Sequence, residues 1–413
     1  MTSGSEVFEP WAWQASAAVL APVEAIAAEQ ASLPAEPWDL EQQEQLRDGL
    51  RSSALSPQTF QRAHALLQQQ GGQRLQQQAD ALRRELVGET VSYVRNRNLN
   101  FTNHCVQHCS FCAFRRDPDQ PGAYWHRIEE LQHRASEAAN SGASELCLQG
   151  GLNTAARLNG SMLAYYAALL RALRDAAPGL HLHAFSPQEL LFIAREDGIP
   201  LQTVLESLCS AGLDSVPGTA AEVLSEPVRQ QLCPEKLTAR EWCAVVLQVH
   251  RCGLPSTSTL MAGHIEAPAD RAAHLLTLVA LQQQARQHQV PGFSEFVLLP
   301  FIGANAPAAL RRRVGRDQPD RAAMLALTAQ SRLLLGEWIV NHQPSWVKLT
   351  LEGATEALRW GCNDLGGTLM EESITSMAGA EGGTSQSASA LEAAARSAGR
   401  PVRERTTLYG ERR

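Results

Sequence analysis

No apolar run in the 413-residue sequence approaches the ~18 residues that a membrane-spanning helix needs, and the basic excess that marks nucleic-acid binders is missing. Lys and Arg number 36 against 43 Asp and Glu, a formal net charge of −7. That balance offers no electrostatic footprint for nucleic acid and no polybasic segment for an anionic membrane. The first ten residues lack the basic flank and apolar stretch of a secretory signal, so the expected location is the cytoplasm. A phosphate-cradling glycine fingerprint, the usual mark of a doubly wound nucleotide-binding sheet, is also missing after the first strand. What remains is 44% hydrophobic and 19% charged, the composition of an ordinary globular protein.

From about residue 88 short apolar runs alternate with longer amphipathic ones. Candidate strands are Leu99–Thr102, Glu145–Leu148, Leu180–Ala184, Leu213–Val216, Thr257–Met261, Phe293–Leu299, Trp346–Leu349 and Thr368–Met370. Candidate helices lie near Glu129–Asn140, Met162–Ala177, Pro187–Arg195, Ala239–Arg251, Asp270–Gln287 and Arg321–Gly336. Alternation of this kind, repeated about eight times, predicts a closed (β/α)8 barrel with its site at the strand C-termini. An open parallel sheet is the alternative.

Four segments are expected: a partly ordered extension (1–35), a helical extension packed on the barrel (36–87), the barrel (88–375) and a flexible C-terminal tail (376–413). The Gln-rich runs around residues 68–78 read either as solvated helix faces or as a disordered tract. Leu75, Ala79, Leu82 and Leu86 recur at helical spacing and favour the helix. The basic end, from Arg400 through Arg403 and Arg405, reads as a solvated terminus.

Nine cysteines in a reducing compartment are not expected to form disulfides. Cys105, Cys109 and Cys112 crowd into a C-x3-C-x2-C loop directly after the first strand, which asks for a metal. Three thiolates suit a cubic iron–sulfur cluster and leave one iron open for chemistry. Structural zinc is the rival. It wants four tetrahedral ligands, commonly two C-x2-C pairs; no second pair exists, and only His104 or His108 is at hand as a fourth ligand. Phe111 either shields the cluster or packs in the core.

With an aromatic residue before the third cysteine, this loop resembles that of the radical S-adenosylmethionine (SAM) superfamily. Segments Leu148–Asn153, His181–Pro187, Gly212–Glu222, Ala262–Glu266, Gly292–Phe296 and Asn363–Thr368 resemble one branch of it. That branch holds both subunits of deazariboflavin (FO) synthase and two menaquinone-pathway enzymes, aminofutalosine synthase and dehypoxanthine futalosine cyclase. The run Pro217–Ala221 is most similar to the family of FO synthase subunit 2.

The resemblance implies a [4Fe–4S] cluster on Cys105, Cys109 and Cys112, with SAM as second cofactor. It implies transfer of the 4-hydroxybenzyl group of L-tyrosine to C5 of 5-amino-6-(D-ribitylamino)uracil, releasing 2-iminoacetate, 5′-deoxyadenosine and methionine. Partners implied are FO synthase subunit 1 and a reductant for the cluster. Phe111, Gly150, Gly151 and Glu222 are the expected cofactor contacts. Many superfamily members carry a glutamate after the glycine pair; here Leu152 stands there, so the amino-group contact must come from elsewhere.

His181 and His183 share one strand face, as do His264 and Glu266. His183 and His264 are the catalytic candidates, since histidine titrates near neutral pH. Arg229 is a candidate for a ribose or carboxylate, Asn363 and Asp364 for a ribityl chain. Core histidines, a surface ion pair and an Asx turn are the corresponding bland readings.

Overall fold

The computed structural model describes residues 5–32, 34 and 38–412. Nine strands form: β1 (Val91–Val94), β2 (Asn96–Leu99), β3 (Glu145–Leu148), β4 (His181–Ala184), β5 (Ser256–Ala262), β6 (Phe293–Pro300), β7 (His342–Pro344), β8 (Asp364–Gly367) and β9 (Val402–Glu404). Their ladders, β2-β3-β4, β5-β6-β7 and β8-β1-β9, are all parallel.

Single contacts join the ladders into a ring. Ser215 bridges to His183 of β4 and Val216 to Ser256 of β5. Asn363 N–H donates to the carbonyl of His342 in β7 at 3.1 Å, and β8 returns to β1 through Ser92↔Asp364. Counting β1 and β2 as one interrupted strand and residues 215–216 as a minimal one, eight parallel positions close a barrel.

Three strands sit elsewhere than the apolar runs predict, the last of them being Asp364–Gly367 in place of Thr368–Met370. Trp346–Leu349 opens the helix Trp346–Ala357, and the strand is the preceding His342–Pro344. A four-residue apolar run cannot by itself tell a strand from a buried turn of helix; Pro344 ends the ladder, and Trp346, Val347 and Leu349 bury from the helical turn instead. The first strand likewise begins upstream, at Val91 rather than Leu99.

The extension is better ordered than its composition suggests. Pro10–Gln30 is a helix whose Ala12, Ser16, Val19, Val23 and Ile26 are buried, packing mainly against the helices Ala239–Arg251 and Pro268–Gln287. Alanines occupy both of its faces, so the sequence shows little contrast between them. Helices Leu40–Ser53, Pro57–Leu67 and Gln73–Val87 follow, the last burying Leu75, Ala79 and Leu82 as their spacing requires. The Gln-rich tract is thus helical over 73–78.

The tail corrects the expectation of a flexible end. Ala388–Ser397 is a helix with Leu391 fully buried, and β9 adds to β1. Arg405 is not solvated: it is 2% exposed and forms a bidentate pair with Asp364, 2.5 and 3.0 Å. Its guanidinium also reaches Glu295 at 3.2 Å and lies 4.0 Å from the Tyr409 ring centre. Arg400 is buried too, donating to the Leu358 and Cys362 carbonyls. Since Ser92, Asp364 and Glu295 stand near the N-terminal ends of their strands, this charged cluster fills the barrel floor.

Candidate active site

At the opposite end, a cavity of about 330 Å³ opens beyond the strand C-termini, a volume suited to small molecules. The thiols Cys105, Cys109 and Cys112 line it, together with Phe111, Gly150, Gly151 and Glu222. Seven residues singled out from the sequence therefore meet on one surface. Six of them lie in two loops, those after β2 and β3, and Glu222 arrives from the 216–223 loop.

The cysteine loop is clamped at its base. The fully buried Asn103 donates from Nδ2 to the Gly122 carbonyl and accepts from Tyr124 N–H, both at 2.8 Å, and Thr102 bridges to Trp125. Val106 N–H donates to the Leu152 carbonyl, and Ser110 N–H to the Leu232 carbonyl. None of the three thiols is in a disulfide. Burial pushes the Cys109 thiol up to about 12, with Lys236 opposing, so a thiolate here needs a cation beside it.

This donor set fits a cubane better than a single ion. Among the described residues no three His, Cys, Asp or Glu side chains converge as a lone metal ion requires. A cubane offers each thiolate its own iron and asks only that the three line one hollow.

Gly151 shows how tightly that hollow is walled. A Cβ there would lie 2.2 Å from the His104 carbonyl oxygen and 2.9 Å from the Cys105 Cβ. Neither is a flexible side-chain end, so Gly151→Ala must push the cysteine loop out of place. The expected result is a chain that folds but retains little iron after anaerobic reconstitution. Wild-type iron content in that variant would show that the glycine is a mere turn residue.

Glu222 is buried and pairs with Lys236 at 2.6 Å. Burial disfavours its charge, but Lys236 outweighs this and holds the carboxyl below the usual range. Lys236 is held protonated by Glu222 and the nearby thiols against the same burial, and its ammonium stands 5.5 Å from the Phe111 ring centre. Ala220 and Glu222 take left-handed φ of 63° and 47°, a cost that non-glycine residues bear mainly at functional turns. Arg229 pins that turn by donating to the Ala220, Ala221 and Leu237 carbonyls; it is buried scaffolding behind the cavity wall and does not itself line the cavity.

The two histidines are corrected by their placement. His183 does not line the cavity: its Nδ1 is 2.7 Å from Ser215 Oγ, a hydroxyl also 2.7 Å from His181 Nε2. Burial pulls it down to about 4, despite Glu145, so it is neutral at physiological pH. His264 is buried beside Glu266 at 2.9 Å, with Nε2 3.0 Å from the Met261 carbonyl, and it too lies off the cavity lining. His183 points inward, as the strand period demands, whereas His264 lies in the loop just past β5. The space inside a closed barrel is packed core below the strand ends, and that is where His183 falls. Asn363 and Asp364 are likewise internal, bonded to Arg332 and to Arg405.

Five charged cavity residues, Arg115, Glu189, Lys236, Lys348 and Glu372, escaped the sequence reading. Glu189 accepts from Gly150 N–H at 3.0 Å and from Ser186 N–H and Oγ at 2.7 Å each. Burial pushes its carboxyl up to about 7 against those donors. Ser186-x-x-Glu189 is a visible helix-capping pattern, but its reach to Gly150 belongs to the fold. Lys236 and Lys348 carried no local signal.

Comparison with known proteins agrees with this geometry. Residues 99–278 match the radical SAM superfamily and residues 290–413 the CofH/MqnC C-terminal region. A 5-amino-6-(D-ribitylamino)uracil–L-tyrosine 4-hydroxyphenyl transferase from Cyanothece sp. is 57% identical over 337 residues, covering 81% of this chain and 88% of the relative. The proteins of that name from Synechococcus elongatus (58%, covering 82% and 88%) and Gloeobacter violaceus (59%, covering 81% and 85%) are equally similar. In fold the chain resembles the FeFe-hydrogenase maturase HydG from Carboxydothermus hydrogenoformans, TM-score 0.64 at 13% identity, covering 96% of this chain and 86% of that one. Methylornithine synthase (PylB) gives 0.62 at 14% identity, covering 86% and 97%.

Proposed function

The chain belongs to the 5-amino-6-(D-ribitylamino)uracil–L-tyrosine 4-hydroxyphenyl transferase family of the radical SAM superfamily, and on that premise we propose that it joins the 4-hydroxybenzyl group of L-tyrosine to C5 of that uracil. The tyrosine Cα–Cβ bond breaks, leaving 2-iminoacetate, and SAM ends as methionine and 5′-deoxyadenosine. The observation that carries this reading is the meeting of three cysteines, the glycine pair and Glu222 on one cavity.

Cys105, Cys109 and Cys112 would hold a [4Fe–4S] cluster, with Gly150 and Gly151 against the methionyl part of SAM. When bound, the pair supplies one-electron cleavage of the sulfonium and so a carbon radical that takes a hydrogen atom. The chain's own task is then confinement. Leu152, Met261, Leu299, Phe301 and Ile302 make an apolar wall that excludes water. Gln149 Nε2 donates to Thr219 Oγ1 at 3.0 Å, fixing two polar groups across the end of β4. Asn98 Oδ1 is buried without a partner and its residue lines the cavity, leaving an acceptor for a ligand N–H or O–H. Lys236 and Glu222 hold each other on the cluster side, and the missing glutamate after Gly151 leaves Glu189 and Glu222 as the carboxylates near the cofactor wall. Tyrosine, the uracil, FO synthase subunit 1 and a low-potential reductant are the proposed partners. No helix among the described residues is long and apolar enough to cross a membrane.

Reconstituted, reduced protein incubated with SAM, tyrosine and the uracil should yield a product whose mass equals the uracil plus a hydroxybenzyl unit less hydrogen. Deoxyadenosine release with no such adduct would refute the transferase reading and leave the SAM chemistry standing.

A further inference from the structure

Three cations line the cavity: Arg115, Lys236 and Lys348. Arg115 is engaged by Asp117, His108 and the Cys105 carbonyl, and Lys236 by Glu222. Lys348 is different. Among the described residues it is the one cavity cation whose side chain has neither a hydrogen-bond nor an ion-pair partner. Its nearest acting carboxylate, Glu372, is occupied by Thr375 and Ser376 N–H at 2.6 and 3.0 Å. Lys348 is partly buried, and a cation drawn away from water without a partner is disfavoured. Burial accordingly pulls the Lys348 ammonium down to about 8, with Glu372 and Glu222 opposing only from a distance.

The backbone carrying Lys348 is specially built. The chain leaves β7 at Pro344 and makes a single helical turn, Trp346–Leu349, before Thr350 breaks it at φ 64°. Gly382 closes over this turn, donating to the Val347 carbonyl, and a Cβ there would strike the Trp346 oxygen at 2.2 Å. Trp346 Nε1 donates to the Gly367 carbonyl at 3.0 Å. The turn is fixed from three sides and sets Lys348 at a strand C-terminus, where barrel enzymes place ligand-binding groups. The short helix Ile374–Met377 packs against the helix that carries Lys348, and its Ile374 and Thr375 line the cavity too.

We propose that Lys348 is the carboxylate anchor for the amino-acid substrate, pairing with the α-carboxylate of L-tyrosine in the cavity. This rests on the transferase reading. The substrate brings a full negative charge to a wall that offers an unpaired positive one, while the diaminouracil carries only neutral carbonyls and hydroxyls. SAM also bears an α-carboxylate, but the cations beside the cysteine loop are Arg115 and Lys236, already held by Asp117 and Glu222.

Equilibrium binding to the reconstituted holoprotein separates the possibilities without turnover. Wild-type protein should bind L-tyrosine roughly 10–100-fold more tightly than L-tyrosinamide, the difference a charge-assisted contact makes. Lys348→Met should abolish that preference while leaving SAM affinity unchanged, and Lys348→Arg should keep part of it. A preference that survives Lys348→Met overturns the proposal. So does an equal weakening of both ligands, which would mark a structural role, or a loss confined to SAM. If Lys348→Met fails to fold, equal affinity of wild-type protein for the two ligands overturns it, and a preference retained in Lys348→Arg supports it. Adduct formation by wild-type protein is scored separately, so failure of the transferase reading is not confused with failure of the anchor.

Discussion

Cys109→Ala should release no 5′-deoxyadenosine and should lose iron, although the chain remains folded. Cys109 is the middle thiol of the loop and the one that burial pushes up to about 12. A buried thiol of that kind is inert unless a metal takes its proton's place. Removing it opens a second iron of the cubane to whatever ligand diffuses in, and the cluster no longer has a single vacancy. The loss should far exceed the ~10–100-fold that follows removal of a ligand's outer hydrogen-bond partner. Cys233 is the natural control. It acts electrostatically on Cys109 yet lines no part of the cavity, so Cys233→Ala should keep its iron. Iron analysis and deoxyadenosine chromatography on the two variants decide the matter; full deoxyadenosine release by Cys109→Ala would remove the ligand assignment altogether.

Arg405→Met should be the most destabilising change outside the cavity. Arg405 neutralises Asp364 and Glu295 at the barrel floor, where Ser92 Oγ donates to Asp364 and Tyr409 OH to Glu295, each at 2.5 Å. Truncating it leaves two carboxylates buried without their cation, a situation that costs about 3–5 kcal/mol in other proteins. It also frees β9, whose only ladder is with β1. Thermal unfolding followed by circular dichroism should show a lower, broader transition. The cysteine loop lies at the other barrel end, so iron content of the folded fraction should match wild type. A melting temperature equal to wild type would mean that the floor cluster contributes no stability.

The expectations that held share a physical basis. The cysteine loop is local chemistry: three ligands within eight residues carry their spacing with them wherever the chain goes. The helices Glu129–Asn140, Met162–Ala177 and Ala239–Arg251 are written in 3.6-residue periodicity, and the structure forms them within a residue or so of the predicted ends. His183 and His264 lie off the cavity for the converse reason. Period-two alternation says which way a strand residue points, but not how far along the barrel axis it sits. A shift of one pair of residues separates a group on the cavity from one in the packed interior.

By itself, then, the sequence determined the order of strands and helices, the cysteine loop and the glycines that must lie against it, because each depends on neighbours a few positions apart. Only the tertiary structure decided that the basic tail turns inward to close the barrel floor, that Glu189 reaches the Gly150 amide, and that Lys348 faces the cavity unpaired. Those facts depend on residues tens to hundreds of positions apart, and charge burial is a property of the space around a side chain that no stretch of sequence records.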